Sequence, residues 1–172
     1  MLDPLKYIAH YPAQIQHQAK RLIEEGKLGA YLQQQYPDTF NHPHSIQSDK
    51  ALYAYVNDLK NSYLGKVGTL TKVSYNSKLS VLKNALGIHT HQSRVQGSKL
   101  KAHNSITVAS IFQEAPLEFL QMIVVHELAH FKVSDHNKAF YQLCCHMQTD
   151  YHQIELHTRL WLLLRELEKN ES

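Results

Sequence analysis

Between Leu117 and Phe131 the chain carries Leu117, Leu120, Val124, Leu128 and Phe131 at helical spacing, with Met122, Val125 and Ala129 widening the stripe. A helix apolar on nearly every side has to be buried. Its C-terminal half nevertheless holds three polar side chains, in the run Val125-His126-Glu127-Leu128-Ala129-His130. Polar groups set into an apolar wall are costly unless something satisfies them. Any fold of this chain must therefore bury this helix and supply these three residues with a partner. Two satisfied core histidines beside a capped glutamate are the plainer alternative, and they leave the coincidence of all three unexplained.

The spacing points to that partner. His126 and His130 are four positions apart, so both imidazoles share one helix face and can reach one ion. Glu127 is turned by ~100° from His126, off the ligand face but beside it. A divalent ion lowers the pKa of water toward ~7, and a neighbouring carboxylate can take the proton. This is the H-E-x-x-H arrangement of zinc hydrolases. It predicts a hydrolase with His126 and His130 as metal ligands and Glu127 as the catalytic residue. A third protein ligand is expected. His136 follows His130 by six positions, which on one straight helix would carry it off the metal face. The helix must break first, with Ser134 or Asp135 capping a new helix whose apolar line is Phe140, Leu143, Cys144 and Met147. His136 is the first candidate, and Glu155, His146 and His152 are its rivals. Metzincin proteases use the same gap with glycine at the turn. Here that position is Val133, a β-branched residue unsuited to positive φ, and no Met-turn follows, which argues against that class.

The rest of the chain reads as an α+β fold. Helices are predicted over Ala13–Glu25, stopped by Gly26, over Leu28–Gln35, and from a cap at Ser48 or Asp49 to Leu64. Leu70, Val73 and Tyr75 lead through Asn76-Ser77 to Leu79, Val81 and Leu82, which reads as a hairpin. Ser105–Ile111 alternates as a strand, with Gly97 marking the turn before it. Ala115-Pro116 suits the start of the metal-binding helix, and Asp150 the cap of a last helix through Leu167. The expectation is N-terminal helices, a small antiparallel sheet, the metal helix and C-terminal helices. No repeat, low-complexity tract or linker divides it, so residues 1–172 read as a single domain. His42, His44, His89, His91 and His103 read as polar loop or strand-end residues rather than ligands.

Charge is segregated. From Leu59 to Gln113 there is no Asp or Glu, while Lys60, Lys66, Lys72, Lys78, Lys83, Arg94, Lys99 and Lys101 make the segment +8. The rest of the chain holds 10 basic and 15 acidic residues, a balance of −5. A local positive field attracts anions such as phosphates, nucleotides or nucleic acid; a cluster of solvated lysines is the plainer account. Arg94, Lys99 and Lys101, lying between predicted strands, are the candidate phosphate contacts. No aromatic-rich pattern accompanies them, so nucleic acid is the weaker partner. No apolar run is long enough to span a bilayer, and Met1–Tyr11 lacks the apolar stretch of a signal peptide. The two cysteines, Cys144 and Cys145, are helix neighbours that cannot bridge normally, so the default setting is reducing and cytoplasmic.

The run Met122-Ile123-Val124-Val125-His126-Glu127-Leu128-Ala129-His130, followed by His136-Asn137-Lys138-Ala139-Phe140-Tyr141, resembles the YgjP-like metal-dependent hydrolases. Lys83-Asn84-Ala85-Leu86-Gly87, Ser93-Arg94, Gly97, Ile106, Ala115-Pro116 and Thr158-Arg159-Leu160-Trp161 fit the same pattern, which covers essentially the whole chain. Many broader members carry Trp and Cys soon after the Ser-Arg pair, where this chain has Val95 and Gln96. The resemblance implies a zincin-like core with His126, His130 and His136 as ligands to one divalent ion, zinc, and Glu127 as the catalytic residue. One branch of the family is assigned pyrophosphatase activity on UTP, giving UMP and pyrophosphate, and magnesium can accompany such a nucleotide. The competing activity is that of a zinc metallopeptidase, as in the related WLM and SprT-like groups. A binding module without catalysis would leave Glu127 without a purpose.

Overall fold

The computed structural model of the protein describes residues 3, 5–79, 87–96 and 99–172, with 87–96 and 99–103 defined by their backbone alone. In chain order the elements are α1 (Ala13–Glu24), α2 (Leu28–Gln35), α3 (Asp49–Tyr63), β1 (Leu70–Asn76), β2 (Gly87–Gln96), β3 (Lys99–Ala109), α4 (Leu117–Ala129), α5 (Lys138–Met147) and α6 (Tyr151–Glu171). Single 3-10 turns lie at Lys6–Ile8 and Ser110–Gln113.

The apolar helix is at the centre, as its composition requires. Phe119, Leu120, Met122, Ile123, Val124, Val125, Leu128 and Ala129 of α4 are all buried. Around it stand α6, α5, α3 and the strands β2 and β3. Its first turn is tied down on two sides. The Thr39 hydroxyl donates to the Glu118 carboxylate at 2.7 Å, and the Gln148 amide donates to the Glu118 carbonyl at 3.1 Å. A carboxylate there also suits the positive end of the helix dipole. Pro116 occupies the cap position itself, one residue later than the sequence pattern placed it.

The sheet has the order β1-β3-β2, with β2 antiparallel and β1 parallel to β3. It is therefore mixed, not wholly antiparallel as the sequence pattern implied. The second arm of the hairpin expected after Asn76 includes Val81 and Leu82, which lie outside the described residues. The turn signal itself is genuine. The Asn76 side chain accepts from the Lys78 backbone N–H at 2.8 Å and so reverses the chain locally. What it does not set is the strand's partner. β3 is central, with Ile106 and Val108 fully buried, and β1 covers the edge that β2 leaves open. β3 also begins at Lys99, six residues before the alternation at Ser105 is legible.

On β1 the two buried residues, Leu70 and Val73, are three apart, where a regular strand would space them by an even number. The register shifts between Leu70 and Lys72, and this bulge returns Val73 to the core face. Thr71 closes the irregularity by donating its hydroxyl to the Asn104 carbonyl at 2.9 Å. α3 is clasped to β1 by Asp49, whose carboxylate accepts the Tyr75 N–H at 2.8 Å, and by the Tyr53 hydroxyl on the Leu70 carbonyl at 3.2 Å. Ser48 is the α3 cap, accepting from Ala51 at 3.1 Å. At α6 the cap position is Asp150, but its left-handed φ of 64° leaves the side chain without a capping bond.

His157 of α6 is buried between two phenols of the N-terminal helices. Tyr31 lies 3.1 Å from Nε2, and Tyr36 lies 2.8 Å from Nδ1. A neutral imidazole can give to one and accept from the other. Burial lowers the pKa of His157 below its usual value, so the unfolded chain binds this proton more readily than the folded one. The contribution is full above about pH 6.5 and is lost as pH falls toward the lowered value, at no more than ~1.4 kcal/mol per pH unit. Urea midpoints of the wild type and His157→Gln, taken at pH 7.5 and 5.5, should show a smaller acid loss in the variant. An equal loss would place the sensitivity elsewhere.

Candidate metal centre

α4 ends at Ala129, and His130 is its C-cap. The chain turns through Phe131 to Asp135 and re-enters a helix at Lys138. The break expected from the six-residue gap is there, but its cap is Asn137, whose side chain accepts from the Phe140 N–H at 3.0 Å. Ser134 and Asp135 do not serve. His136 thus stands just before α5 rather than within its first turn.

This path brings His136 back over the helix face that carries His126 and His130. Its Nε2 lies 3.0 Å from Nε2 of His130 and 3.2 Å from Nε2 of His126. The three ligand atoms all fall within 4.8 Å of one another, and no other group of three or more His, Cys, Asp or Glu residues among those described could hold a metal ion. Glu155, His146 and His152, the rival third ligands, are not part of the group.

The rings are held from behind. Nδ1 of His130 faces the Val133 carbonyl at 3.1 Å. A carbonyl only accepts, so Nδ1 carries the hydrogen and Nε2 presents its lone pair to the other rings. Nδ1 of His126 lies 2.8 Å from the Tyr151 hydroxyl. Burial first, then the adjacent His130 and His136, push the pKa of His126 down to about 3, which keeps it in the neutral, ligating form. Burial also lowers that of His130. Phe140 braces all three imidazoles, with ring centroids 5.0, 4.5 and 4.9 Å from His126, His130 and His136.

Glu127, the next residue after His126 on α4, is itself buried. Burial pushes its carboxyl up to about 8, and its Oε2 has no hydrogen-bond partner. Three imidazole nitrogens converging within 4.8 Å of one another are a donor set that a divalent cation would satisfy. The donor set therefore fits a metal ion.

The proposed phosphate contacts lie on strands rather than between them. Arg94 of β2 is the register partner of Lys101 of β3, and Lys99 pairs with Gln96. Their side chains lie outside what the structure describes. The polar face of α6 contributes what sequence reasoning missed: Tyr151 lies against His126, and Glu155, read from the sequence only as a rival ligand, is paired with Arg159. The signal was present as Tyr151, Glu155 and Arg159 at four-residue spacing on one face of α6. His44 is not a ligand; its Nε2 lies 2.8 Å from the Phe112 carbonyl.

A small mixed sheet set against a buried H-E-x-x-H helix defines an α+β, zincin-like metal-dependent hydrolase. Residues 47–159 match the family model described as YgjP-like, metallopeptidase domain. The UTP pyrophosphatase of Escherichia coli (strain K12) is 53% identical over 170 residues, covering 99% of each chain. The chain belongs to the YgjP-like family. No solved structure matched it. Family and histidine triad together point to a bound metal ion.

The bracing by Phe140 is open to direct test. Phe140→Ala should lower the unfolding free energy by ~3–5 kcal/mol in urea denaturation, because it empties a site that is fully buried. A loss below ~1 kcal/mol would mean the ring does not fill the space behind the imidazoles.

Proposed function

We propose that this chain, acting as a single domain over residues 1–172, is a nucleoside triphosphate pyrophosphatase that hydrolyses UTP to UMP and pyrophosphate. The observation that carries the substrate is its 53% identity, over 99% of both chains, to a protein named UTP pyrophosphatase. The site supplies the chemistry. His126, His130 and His136 hold one divalent ion, and three imidazoles suit zinc. When bound, such an ion polarises a phosphoryl oxygen and acidifies water.

Glu127 is the general base. It sits one residue from a ligand, is shielded from bulk water, and binds a proton more tightly than an exposed carboxylate does. Arg94, Lys99 and Lys101 are assigned to the triphosphate. β2 and β3 continue as a two-stranded ribbon beyond Asn104, where the pairing with β1 stops. Asn104 and Phe131 both flank Gly68, a glycine at φ +63° where an added Cβ would lie 2.6 Å from the Asn104 side chain and 3.7 Å from Phe131. The ribbon therefore departs from the end of α4 that carries His130. A magnesium ion carried by the triphosphate would belong to the substrate. Free Cys144 and Cys145 support a cytoplasmic setting. Among the described residues no helix is long and apolar enough to cross a membrane.

The family model's description as a metallopeptidase domain supports a second reading, a zinc metallopeptidase. Zinc-loaded protein given UTP, beside Glu127→Gln prepared identically, separates the two. Release of UMP and pyrophosphate by the wild type, falling ~10²–10⁴-fold in Glu127→Gln, is the expected result. Arg94→Ala should raise KM for UTP more than it lowers kcat. Cleavage of a denatured protein with no nucleotide turnover, lost in Glu127→Gln, would establish the peptidase instead.

A further inference from the structure

A neutral imidazole that gives Nε2 to a metal must carry its hydrogen on Nδ1, and that hydrogen needs an acceptor. At His130 the Val133 carbonyl is that acceptor, and a carbonyl has no other role to play. At His126 the choice is not made by its neighbour alone. The Tyr151 hydroxyl, 2.8 Å from Nδ1, can donate or accept. If it donated, the ring hydrogen would sit on Nε2 and point at His136, blocking the site.

What lies behind the phenol decides the matter. Glu155 is one helical turn further along α6, on the same face as the phenol, and buried. An ionised carboxylate only accepts. Placed there, it would draw the phenol hydrogen toward itself and leave the phenol oxygen free to accept from His126. Arg159, one turn further again, holds Glu155 at 3.4 Å and is itself anchored on the Tyr7 carbonyl at 3.2 Å. Tyr151, Glu155 and Arg159 thus form a relay of side chains at four-residue spacing along one face of α6.

We propose that Tyr151 is a positioning residue, oriented by Glu155 and Arg159, that fixes the His126 tautomer and so prepares Nε2 to bind the metal. This rests on the reading of His126, His130 and His136 as ligands. The polar stripe of α6 is then part of the metal centre, although none of its members touches the ion.

Tyr151→Phe removes one oxygen from a fully buried ring and keeps its shape. The zinc affinity of the metal-free protein is measured by competition with a chromophoric chelator. The urea midpoint of the same metal-free samples and the visible absorption of the cobalt-loaded forms are recorded alongside. The expected result is a ~10–100-fold weaker zinc affinity in Tyr151→Phe, with altered cobalt bands and a nearly unchanged midpoint. A purely packing role would leave the affinity and the bands unmoved. Equal affinity in wild type and Tyr151→Phe overturns the inference and leaves the ligand assignment intact. Failure of the wild type to bind zinc overturns the ligand assignment itself. Should Tyr151→Phe not fold, Glu155→Gln keeps the phenol and removes the charge that orients it; it too should bind zinc more weakly, and unchanged affinity there counts against the relay.

Discussion

The contact on which the site depends is that of the Phe140 ring with the three imidazoles, at centroid distances of 4.5 to 5.0 Å. His126 and His130 are placed by α4, which is locked by burial along its length. His136 belongs to no regular element. It is carried over the other two because α5 starts immediately after it and because Phe140, in the first turn of α5, is driven into the core. The Asn137 cap fixes where that helix begins, and the apolar ring fixes which way it faces. A hydrophobic contact thus sets the geometry of a polar centre. It does so without competing for the nitrogens, since an aromatic ring offers the imidazoles no hydrogen-bonding partner of comparable strength.

What was legible in the sequence follows from the range of the forces involved. The buried helix and its two histidines were readable because both the apolar stripe and the four-residue spacing are local. The need for a break before His136 was readable for the same reason. Its cap was not, because Ser134, Asp135 and Asn137 are all good capping residues and only the packing of Phe140 selects among them. Strand pairing was the least legible feature. The turn at Asn76 is a local event and is present, but whether β1 meets β2 or β3 depends on which edge of a central strand remains open. That is decided by contacts some thirty residues away, such as Leu70 with Asn104.

Glu155 shows how a correct location can come with the wrong role. Its spacing from the H-E-x-x-H motif made it a plausible ligand, and the structure does bring it near the site. The residue that touches His126 is Tyr151, and Glu155 is held by Arg159. A carboxylate already paired with a half-buried guanidinium has little to offer a second cation, whereas its remaining lone pairs can still accept a phenol hydrogen. Sequence distance could not distinguish the two roles, because the same helix turn reaches either.

The two buried carboxylates therefore divide the work through their surroundings. Glu155 has its counter-charge within the fold, 3.4 Å away in Arg159. Glu127 has none that the structure supplies to its Oε2. An ionised, unpartnered carboxylate in an apolar wall is unfavourable, and burial accordingly raises its proton affinity to about 8. The three imidazoles, with Nε2 of His136 3.0 and 3.2 Å from those of His130 and His126, crowd their nitrogens in a complementary way. A cation held there would give the nitrogens a common acceptor of their lone pairs. The crowding of the three nitrogens is thus also what would favour a cation between them.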